Sequence, residues 1–252
     1  MTIAVITGAS SGLGHEYVRQ VVEQIPNLDE IWLIARRRER LEALAAAYPN
    51  QKFRCLALDL TAPESFTAYQ TALKEANATV KVLINNAGYG KLGLFAEEEV
   101  ADQVGMVDLN CRALTAVTNL TLPYMEKGSG ILNVSSIASY APTPRMAVYC
   151  STKAYVSSFS HALAEELHPQ GITVLAVCPG PMATEFLEVA AITGNSKTFQ
   201  TLPYCKPQAV AEKSLKRLLR GKRWYTNLLL YKVYRVLCKI LPFRFMMKLS
   251  KT

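Results

Sequence analysis

Short runs of apolar residues without polar alternation recur along this chain, and stretches with helical spacing separate them. The apolar runs span residues 3–7, 31–35, 53–60, 80–88, 130–136 and 172–180. The intervening helices are predicted at residues 13–25, at about 37–48, after Pro63, as two helices within about 97–125, and at about 148–167. Strands that are apolar on both sides are buried on both faces, which is typical of a parallel sheet covered by helices. Because the 252 residues contain no internal repeat and no low-complexity linker, we predict one doubly wound α/β domain.

A glycine-rich segment, TGASSGLG at residues 7–14, directly follows the first predicted strand. Its glycines Gly8, Gly12 and Gly14 would let the backbone turn tightly and approach a pyrophosphate, which the amides of the next helix would bind. A glycine triplet alone is weak evidence, and an ordinary turn is the alternative. The position between a strand and a helix favours a Rossmann-type dinucleotide site.

Arginines follow the second predicted strand, in the order Ala35-Arg36-Arg37-Arg38. Dinucleotide folds that bind NAD usually place an acidic residue here to hold the ribose hydroxyls. Guanidinium groups suit a 2′-phosphate instead, so the segment favours NADP(H) over NAD(H). The alternative is a solvated helix start. Asp59 ends the third apolar run and is a candidate adenine contact, with Leu60 beside it.

Tyr149 and Lys153, in the segment YCSTK, are four residues apart and share one face of the predicted helix. The phenol and the ammonium titrate near about 10 and about 10.4 in free peptides. A neighbouring positive charge favours the phenolate, so Lys153 is expected to lower the pKa of Tyr149 and equip it for proton transfer. An exposed pair without function is the alternative.

These motifs, in this order and spacing, closely resemble the short-chain dehydrogenase/reductase family, up to about residue 184 and more loosely beyond it. The resemblance rests on TGASSGLG, NNAG at residues 85–88, Asn110, Ser136, Tyr149 with Lys153, and PGPMAT at residues 179–184. The segment after NNAG is more similar to the hydroxysteroid and ketone-reductase branch than to acyl-carrier-protein reductases. The resemblance implies a sheet of about seven strands in the order 3-2-1-4-5-6-7, with the last strand near Trp224.

The resemblance also implies a catalytic set of Asn110, Ser136, Tyr149 and Lys153. Tyr149 would be the acid/base, Lys153 would lower its pKa and hold the nicotinamide ribose, and Ser136 would bind the substrate oxygen. Asn110 would help hold a water that links Lys153 to solvent. Ser136 is preferred over Ser135 by its thirteen-residue spacing to Tyr149, and strand alternation makes the two side chains point differently.

The cofactor contacts that the motifs and the resemblance predict together are Gly8, Ser10, Ser11, Gly12, Leu13, Gly14, Arg36, Arg37, Asp59, Leu60, Asn86, Ala87, Gly88, Tyr149, Lys153, Pro179, Gly180, Met182 and Thr184.

An apolar ketone or its secondary alcohol is the favoured substrate class. The candidate pocket walls are Tyr140, Pro142, Met146 and Val148, with ordinary loop packing as the alternative. Residues 182–204 are expected to form a substrate lid. Two other functions stay open: a 3-oxoacyl thioester reductase or 3-hydroxy acid dehydrogenase, and a non-catalytic, nucleotide-binding regulatory protein at a membrane. A homodimer or homotetramer would use the helices within 97–125 and 148–167.

Positive charge is concentrated at the end of the chain. The net charge is +8, yet from Lys213 onward there are twelve Lys or Arg and no Asp or Glu. Residues 227–241 have the spacing of a basic amphipathic helix, and Pro242 separates it from a second short helical segment. This helix would lie on an anionic membrane surface, or pack on the protein's own core or a second subunit beside the substrate mouth, or be a solvated face. We therefore separate residues 1–220, the dinucleotide-binding and catalytic domain, from a basic extension at 221–252 that is part of it or peripheral.

The remaining features mainly limit the function. No pair among the six cysteines has metal-ligand spacing with His, so no metal site is expected. The three histidines match no catalytic position of the family. Nucleic-acid binding is not expected, because the basic residues accompany no recognisable nucleic-acid fold. The apolar start lacks a signal-peptide pattern and the thiols are scattered, so we expect a cytoplasmic protein, with the inner face of a membrane as the alternative site.

Overall fold

The computed structural model describes residues 1–192 and 197–249 of the chain. Its centre is a seven-stranded sheet in which every neighbouring pair of strands is parallel. The strands are β1 (Thr2–Thr7), β2 (Glu30–Ala35), β3 (Phe53–Ala57), β4 (Thr79–Asn85), β5 (Gly130–Val134), β6 (Thr173–Val177) and β7 (Trp224–Tyr225). Their order, 3-2-1-4-5-6-7, confirms the predicted doubly wound topology and the last strand at Trp224.

Helices cover both faces of this sheet, as the unbroken apolar runs predict. The helices are α1 (Gly12–Gln24), α2 (Arg38–Ala46), α3 (Glu64–Ala76), α4 (Val100–Val107), α5 (Leu114–Thr121), α6 (Ala147–Leu167), α7 (Glu185–Val189), α8 (Lys197–Thr201), α9 (Pro207–Leu219), α10 (Leu229–Ile240) and α11 (Phe243–Leu249). Alternate strand residues face opposite layers: Ala4 and Ile6 pack with α1, α2 and α9, whereas Ile3 and Val5 pack with α3, α5 and α6. Two buried cores result, one on each side of the sheet.

The region predicted as two helices within 97–125 is one continuous helical run. Between α4 and α5 the helix widens into a π-helical turn, Asp108–Ala113, and a 3₁₀ turn, Leu122–Tyr124, ends the run. Single π turns inside α-helices often occur at functional sites, because the extra residue changes the direction of a side chain. Asn110 lies in this turn.

The basic end of the chain packs against the domain through one face only. Tyr231 and Cys238 of α10 and Met246 of α11 are buried, and the guanidinium of Arg235 stacks over the ring of Trp224 at 4.0 Å. On the opposite face of the two helices, eight apolar side chains are exposed to solvent: Leu229, Leu230, Val233, Val236, Leu237, Ile240, Phe243 and Phe245. Packing on the protein's own core therefore accounts for one face of the amphipathic helix. The expected boundary at residue 220 falls between α9 and the last strand of the sheet.

Within the part of the chain that the structure describes, no helix has both the length and the apolar character needed to cross a lipid bilayer.

Candidate active site

A large cleft of about 1100 Å³ opens at the carboxyl ends of the parallel strands. Segments that follow β1, β2, β3, β4, β5 and β6 all contribute to its lining. Ligands of open α/β sheets bind at this edge, because the loops there converge on one crevice. The predicted site residues line this cleft with two exceptions, Gly14 and Asn110.

Gly14 supports the glycine loop rather than the cleft. A Cβ atom at Gly14 would collide with the carbonyl oxygen of Gly8, so a side chain at this position is excluded by the loop itself. Gly8 has a φ of +66°, and a Cβ there would lie 2.8 Å from Cα of Ala87. The loop therefore has the geometry that a bound pyrophosphate requires, with Gly14 providing close helix–loop packing.

The candidate proton donor, Tyr149, is in the first turn of α6 and is buried. Its hydroxyl lies close enough to the hydroxyl of Ser136 for the serine to lower the pKa of the phenol, and its ring packs on Phe186 with centroids 5.6 Å apart. Ser136 is held in place by the 3₁₀ turn that follows it, because its Oγ accepts a hydrogen bond from the amide of Ala138 at 3.1 Å. Tyr149 and Ser136 both line the cleft, so a substrate oxygen can bind near the two hydroxyl groups.

Ser135 and Ser136 point in different directions, as strand alternation predicts. Ser135 Oγ donates to the backbone carbonyl of Lys153 at 2.8 Å and is also hydrogen-bonded to Ser157 Oγ at 2.8 Å. Ser135 therefore fixes α6 against the end of β5, while Ser136 lines the cleft, as Tyr149 does.

Lys153 is buried below Tyr149. Its Nζ donates to the backbone oxygen of Val134 at 3.0 Å and lies 5.8 Å from the centroid of the Tyr149 ring. Burial lowers the pKa of Lys153 to about 8, because desolvation disfavours the ammonium.

The expectation that Lys153 lowers the pKa of Tyr149 does not hold for this arrangement. Burial raises the pKa of Tyr149, and the nearby hydroxyl of Ser136 offsets only part of that increase. The reason is that the ammonium contacts Val134 and not the phenolic oxygen, while the phenol is enclosed by protein. Tyr149 is therefore protonated at neutral pH, although burial alone makes it a weaker acid than a free tyrosine.

Asn110 lies behind the cleft, in the π-helical turn. Its Oδ1 accepts from the amide of Tyr89 at 3.0 Å, and its Nδ2 donates to the carbonyl of Tyr89 at 2.8 Å and to Thr152 Oγ1 at 3.0 Å. A Cβ on Gly88 would lie 2.8 Å from Asn110 Oδ1 and 3.3 Å from Lys153 Nζ. The amide side chain thus joins the Gly88–Tyr89 segment to α6 close to the lysine, although it does not face the cleft.

The two arginines after β2 differ in their contacts. Arg37 bonds through Nη2 to Ser10 Oγ and Ser11 Oγ, each at 3.2 Å, so it closes over the glycine loop. Arg36 is exposed and forms no ion pair within residues 1–192 and 197–249, although its charge acts on Asp59. Burial raises the pKa of Asp59, but hydrogen bonds from Thr61 and the charge of Arg36 outweigh burial and lower it. Asp59 is thereby kept as an ionised hydrogen-bond acceptor in the part of the cleft that follows β3.

Glu185, which the sequence analysis did not identify, pairs with these arginines. It begins α7, and its Oε2 accepts from both Nη1 and Nη2 of Arg37 at 3.1 Å, while its Oε1 accepts from Arg40. Hydrogen bonds from Arg40 and Arg37 lower the pKa of this carboxyl. No local signal in the sequence indicates a partner almost 150 residues away; only the capping residue Thr184 before an acidic residue marks the start of a helix.

The substrate half of the cleft is mostly apolar. Of the four predicted wall residues, only Met146 lines the cleft. Tyr140 packs on the rings of Trp224 and Tyr234 instead, and Pro142 is exposed to solvent. Val148 packs against the cluster that contains Met146 and Tyr149. The expected lid contributes Met182, Phe186, Leu187, Val189, Phe199 and Leu202. Residues 193–196 of that lid lie outside the described residues. The basic extension adds Leu230, Tyr231, Tyr234, Leu237 and Met246, which the wall prediction missed.

These residues fit a dinucleotide. The positive φ of Gly8 and the space kept open beside Ala87 form a cradle that a Cβ would fill. Serine hydroxyls and the N-terminus of α1 adjoin this cradle, and guanidinium groups lie at its outer end. The arrangement provides amides for a pyrophosphate and cations for a further phosphate.

Comparison with known proteins gives a consistent result. A family model described as short chain dehydrogenase matches residues 2–193. The chain is 38% identical over 203 residues to a serine 3-dehydrogenase of Agrobacterium fabrum, covering 78% of each chain. It is 33% identical over 231 residues to a very-long-chain 3-oxoacyl-CoA reductase of Aspergillus terreus, covering 86% of this chain but only 61% of that reductase. A solved short-chain dehydrogenase from Sphingobium yanoikuyae in complex with NADPH superposes with a TM-score of 0.80 at 29% identity, covering 96% of both chains.

Proposed function

The chain belongs to the short-chain dehydrogenase family, and we propose that it uses NADP(H) to interconvert an apolar ketone and its secondary alcohol. The observation that carries this proposal is that Tyr149 and Ser136 lie near each other in one cleft that is lined by the glycine loop and by apolar side chains. A carbonyl oxygen bound at that point would have two hydroxyl groups within reach and apolar side chains around its substituents.

In the direction of reduction, the Tyr149 hydroxyl donates its proton to the carbonyl oxygen. Ser136 Oγ–H binds the same oxygen and stabilises the negative charge that develops there. Burial raises the pKa of Tyr149, so the phenol is protonated at neutral pH and carries the proton that this step transfers. When bound, the nicotinamide cofactor supplies the hydride.

Lys153 and Asn110, on the protein side of Tyr149, assist this proton transfer. We assign to Lys153 the binding of the nicotinamide ribose and the return of a proton towards Tyr149, and to Asn110 the positioning of the Gly88–Tyr89 segment and a relay water. The pKa of about 8 for Lys153 leaves the ammonium able to release and regain a proton near neutral pH. The cofactor is held by the remaining predicted contacts around the glycine loop, Asp59, residues 86–88 and residues 179–184.

The preference for NADP(H) rests on charge. The end of β2 presents Arg36 and Arg37 and no acidic residue of its own, and guanidinium groups recognise phosphate in a bidentate way. The similar Sphingobium protein was solved with NADPH, which supports the same cofactor class.

A second function, reduction of a 3-oxoacyl thioester or oxidation of a 3-hydroxy acid, is favoured by the names of two relatives. One is a serine 3-dehydrogenase and the other a very-long-chain 3-oxoacyl-CoA reductase, so both names refer to carbon 3. Small charged substrates fit this cleft less well, because its substrate half is lined mainly by Met, Phe, Leu and Val side chains. The non-catalytic alternative has no support from these comparisons.

The test is consumption of NADPH with a panel of steroid, aromatic and small ketones and 3-oxoacyl thioesters, with NADH in parallel. We expect turnover of bulky apolar ketones with NADPH preferred. Turnover confined to thioesters would replace the first function by the second, and equal use of NADH would contradict the cofactor proposal.

We also propose that the exposed apolar face of α10 and α11 lies on an anionic membrane surface, with the protein otherwise in the cytoplasm. Leu229 and Ile240 are 75% and 73% exposed, and the exposed cations Lys232, Lys239 and Arg244 lie on the same two helices. No acidic residue occurs in this part of the chain, so a lipid surface with negative charge complements it and a second copy of the same face does not. Because Leu230 and Leu237 also line the cleft, this surface would place the cleft mouth against the apolar phase.

A homodimer or homotetramer completes the proposed assembly. Val100, Val104 and Val107 are exposed at helical spacing along α4, in the region that the family resemblance assigns to subunit contacts. Light scattering that returns the mass of a monomer would contradict this part of the proposal.

A further inference from the structure

The start of the lid helix is tied to the arginines that follow β2. Glu185 receives both terminal nitrogens of Arg37 on one carboxylate oxygen and Arg40 on the other. The preceding residue, Thr184, lies against the glycine loop, since a Cβ on Gly12 would be 3.3 Å from its Cβ. One carboxylate therefore connects the lid to two cations across the nucleotide end of the cleft.

Arg37 cannot serve this carboxylate and a 2′-phosphate equally. The same guanidinium also bonds to Ser10 and Ser11 of the glycine loop, so it already lies where a phosphate on the adenosine ribose would be bound. A phosphate dianion would compete for its donors and would be repelled by an ionised carboxylate that stayed beside it. A nucleotide without the 2′-phosphate would neither compete for the donors of Arg37 nor repel the carboxylate of Glu185.

The next residue of the lid connects this ion pair to the reaction centre. Phe186 follows Glu185 and packs on the ring of Tyr149 at 5.6 Å between centroids. The two residues belong to the first turn of the five-residue helix α7. Release of Glu185 would therefore loosen a segment whose other contact is the catalytic tyrosine.

From this geometry we propose that Glu185 is a specificity-determining latch: it holds α7 against Arg37 and Arg40 until a 2′-phosphate displaces it. The proposal rests on the NADP(H) preference stated above and adds two consequences. Glu185 weakens the binding of nucleotides that carry a 2′-phosphate, and those nucleotides selectively loosen α7.

The affinity test uses 2′,5′-ADP and 5′-ADP as probes, measured by calorimetry, with no substrate and no turnover. Glu185→Gln keeps the size of the side chain and removes its charge. We expect this variant to bind 2′,5′-ADP about fivefold more tightly than the wild type, the range expected when exposed ion pairs no longer compete, and to bind 5′-ADP unchanged. The gain should shrink at high salt, which screens exposed charges.

Glu188→Gln is the matched control, because Glu188 is an exposed carboxylate on the same helix and forms no ion pair with a described residue. It should leave both affinities unchanged. An equal gain in both variants would show a general charge effect and overturn the latch.

The conformational test is amide hydrogen exchange in residues 185–192. In the wild type, 2′,5′-ADP should accelerate exchange there and 5′-ADP should not, whereas Glu185→Gln should exchange fast without any probe. If the wild type prefers 2′,5′-ADP but Glu185→Gln has the same affinity and the same exchange, the latch is wrong and the cofactor preference stands. If the wild type binds the two probes equally, the cofactor preference fails and the latch fails with it.

Discussion

At the scale of single residues, Lys153 serves the site at the expense of stability. Its ammonium is buried and donates a hydrogen bond to the backbone oxygen of Val134, and it forms no salt bridge within the described residues. Burial lowers its pKa from 10.5 to about 8. Because the folded pKa lies below the unfolded one, the charged lysine destabilises the fold fully below about pH 8. That penalty disappears as the pH rises towards the unfolded pKa, since the unfolded chain then also loses its proton.

We therefore expect Lys153→Met to abolish turnover and to raise the free energy of unfolding at pH 7, by up to roughly 3 kcal/mol at 1.36 kcal/mol per pKa unit. The gain should shrink between about pH 8 and pH 10.5. Denaturant melts across this pH range measure it, and Lys222→Met, at an exposed lysine, is the control. A stabilisation that does not depend on pH would show that packing, and not the buried charge, is responsible.

At the scale of elements, the docking of α10 depends on the absence of a side chain at Gly180. A Cβ there would collide with the ring of Tyr231, which is buried and donates its hydroxyl to the backbone oxygen of Pro203 at 2.6 Å. The segment after β6 and the last long helix therefore pack directly on each other.

Gly180→Ala should displace and loosen α10, because the added methyl has no space beside the aromatic ring. Trypsin should then cleave faster after Lys232, Arg235 and Lys239, since a loosened helix fits a protease more readily than a docked one. Gel analysis of cleavage over time measures the change. Leu229→Ala removes an exposed side chain from the same helix and should leave cleavage as in the wild type. If trypsin cleaves Gly180→Ala as slowly as the wild type, the contact of Gly180 with Tyr231 does not hold the helix in place.

Elements whose pattern depends on burial could be predicted from the sequence, and those that depend on distant partners could not. The parallel strands were predicted because each is apolar on both sides, and α6 because Tyr149 and Lys153 lie on a long helical stretch. The third strand ends at Ala57, earlier than its apolar run suggests. The chain turns after it, because the carboxylate of Asp59 accepts hydrogen bonds from the amide and the hydroxyl of Thr61. The π-helical turn at Asn110 leaves no periodicity signal, since six residues are too few to shift the helical pattern.

The site shows the same division. Ser136, Tyr149 and Lys153 meet where their spacing predicts, because two neighbouring elements, the end of β5 and the start of α6, carry all three. Tyr140 was expected to line the pocket and instead packs on Trp224 and Tyr234, whose positions depend on how the end of the chain folds back. The pKa of Tyr149 was predicted with the wrong sign, because spacing gives the neighbouring charge but not the burial that outweighs it.

At the scale of the whole molecule, charge and exposed apolar surface are concentrated on the same side. The part of the chain before Lys213 has 16 basic and 20 acidic residues, whereas the part from Lys213 onward has twelve basic and no acidic residues. Removing residues 222–252 would also remove β7 and the buried Tyr231 and Met246, so a deletion cannot separate membrane binding from folding. Point substitutions on the exposed face can.

Leu229→Glu with Ile240→Glu should abolish co-sedimentation with vesicles of anionic phospholipid, because two carboxylates would enter the apolar contact and oppose the surface charge. Leu219→Glu, at an exposed apolar residue of α9, is the control and should sediment as the wild type does. Failure of the wild type to bind anionic vesicles would contradict the membrane proposal. Loss of self-association in the double variant, without any vesicle binding by the wild type, would assign the face to a protein contact instead.

The measurement that tests the central claim most directly compares Tyr149→Phe with the wild type in NADPH-dependent reduction of an apolar ketone, together with NADPH binding. The substitution removes one oxygen atom from a buried ring and leaves the cofactor half of the cleft intact. We expect turnover to fall by about 10²- to 10⁴-fold, the usual contribution of a positioned general acid, while the affinity for NADPH stays near that of the wild type. Retained turnover in a folded variant that still binds NADPH would contradict the assignment of Tyr149 as the proton donor.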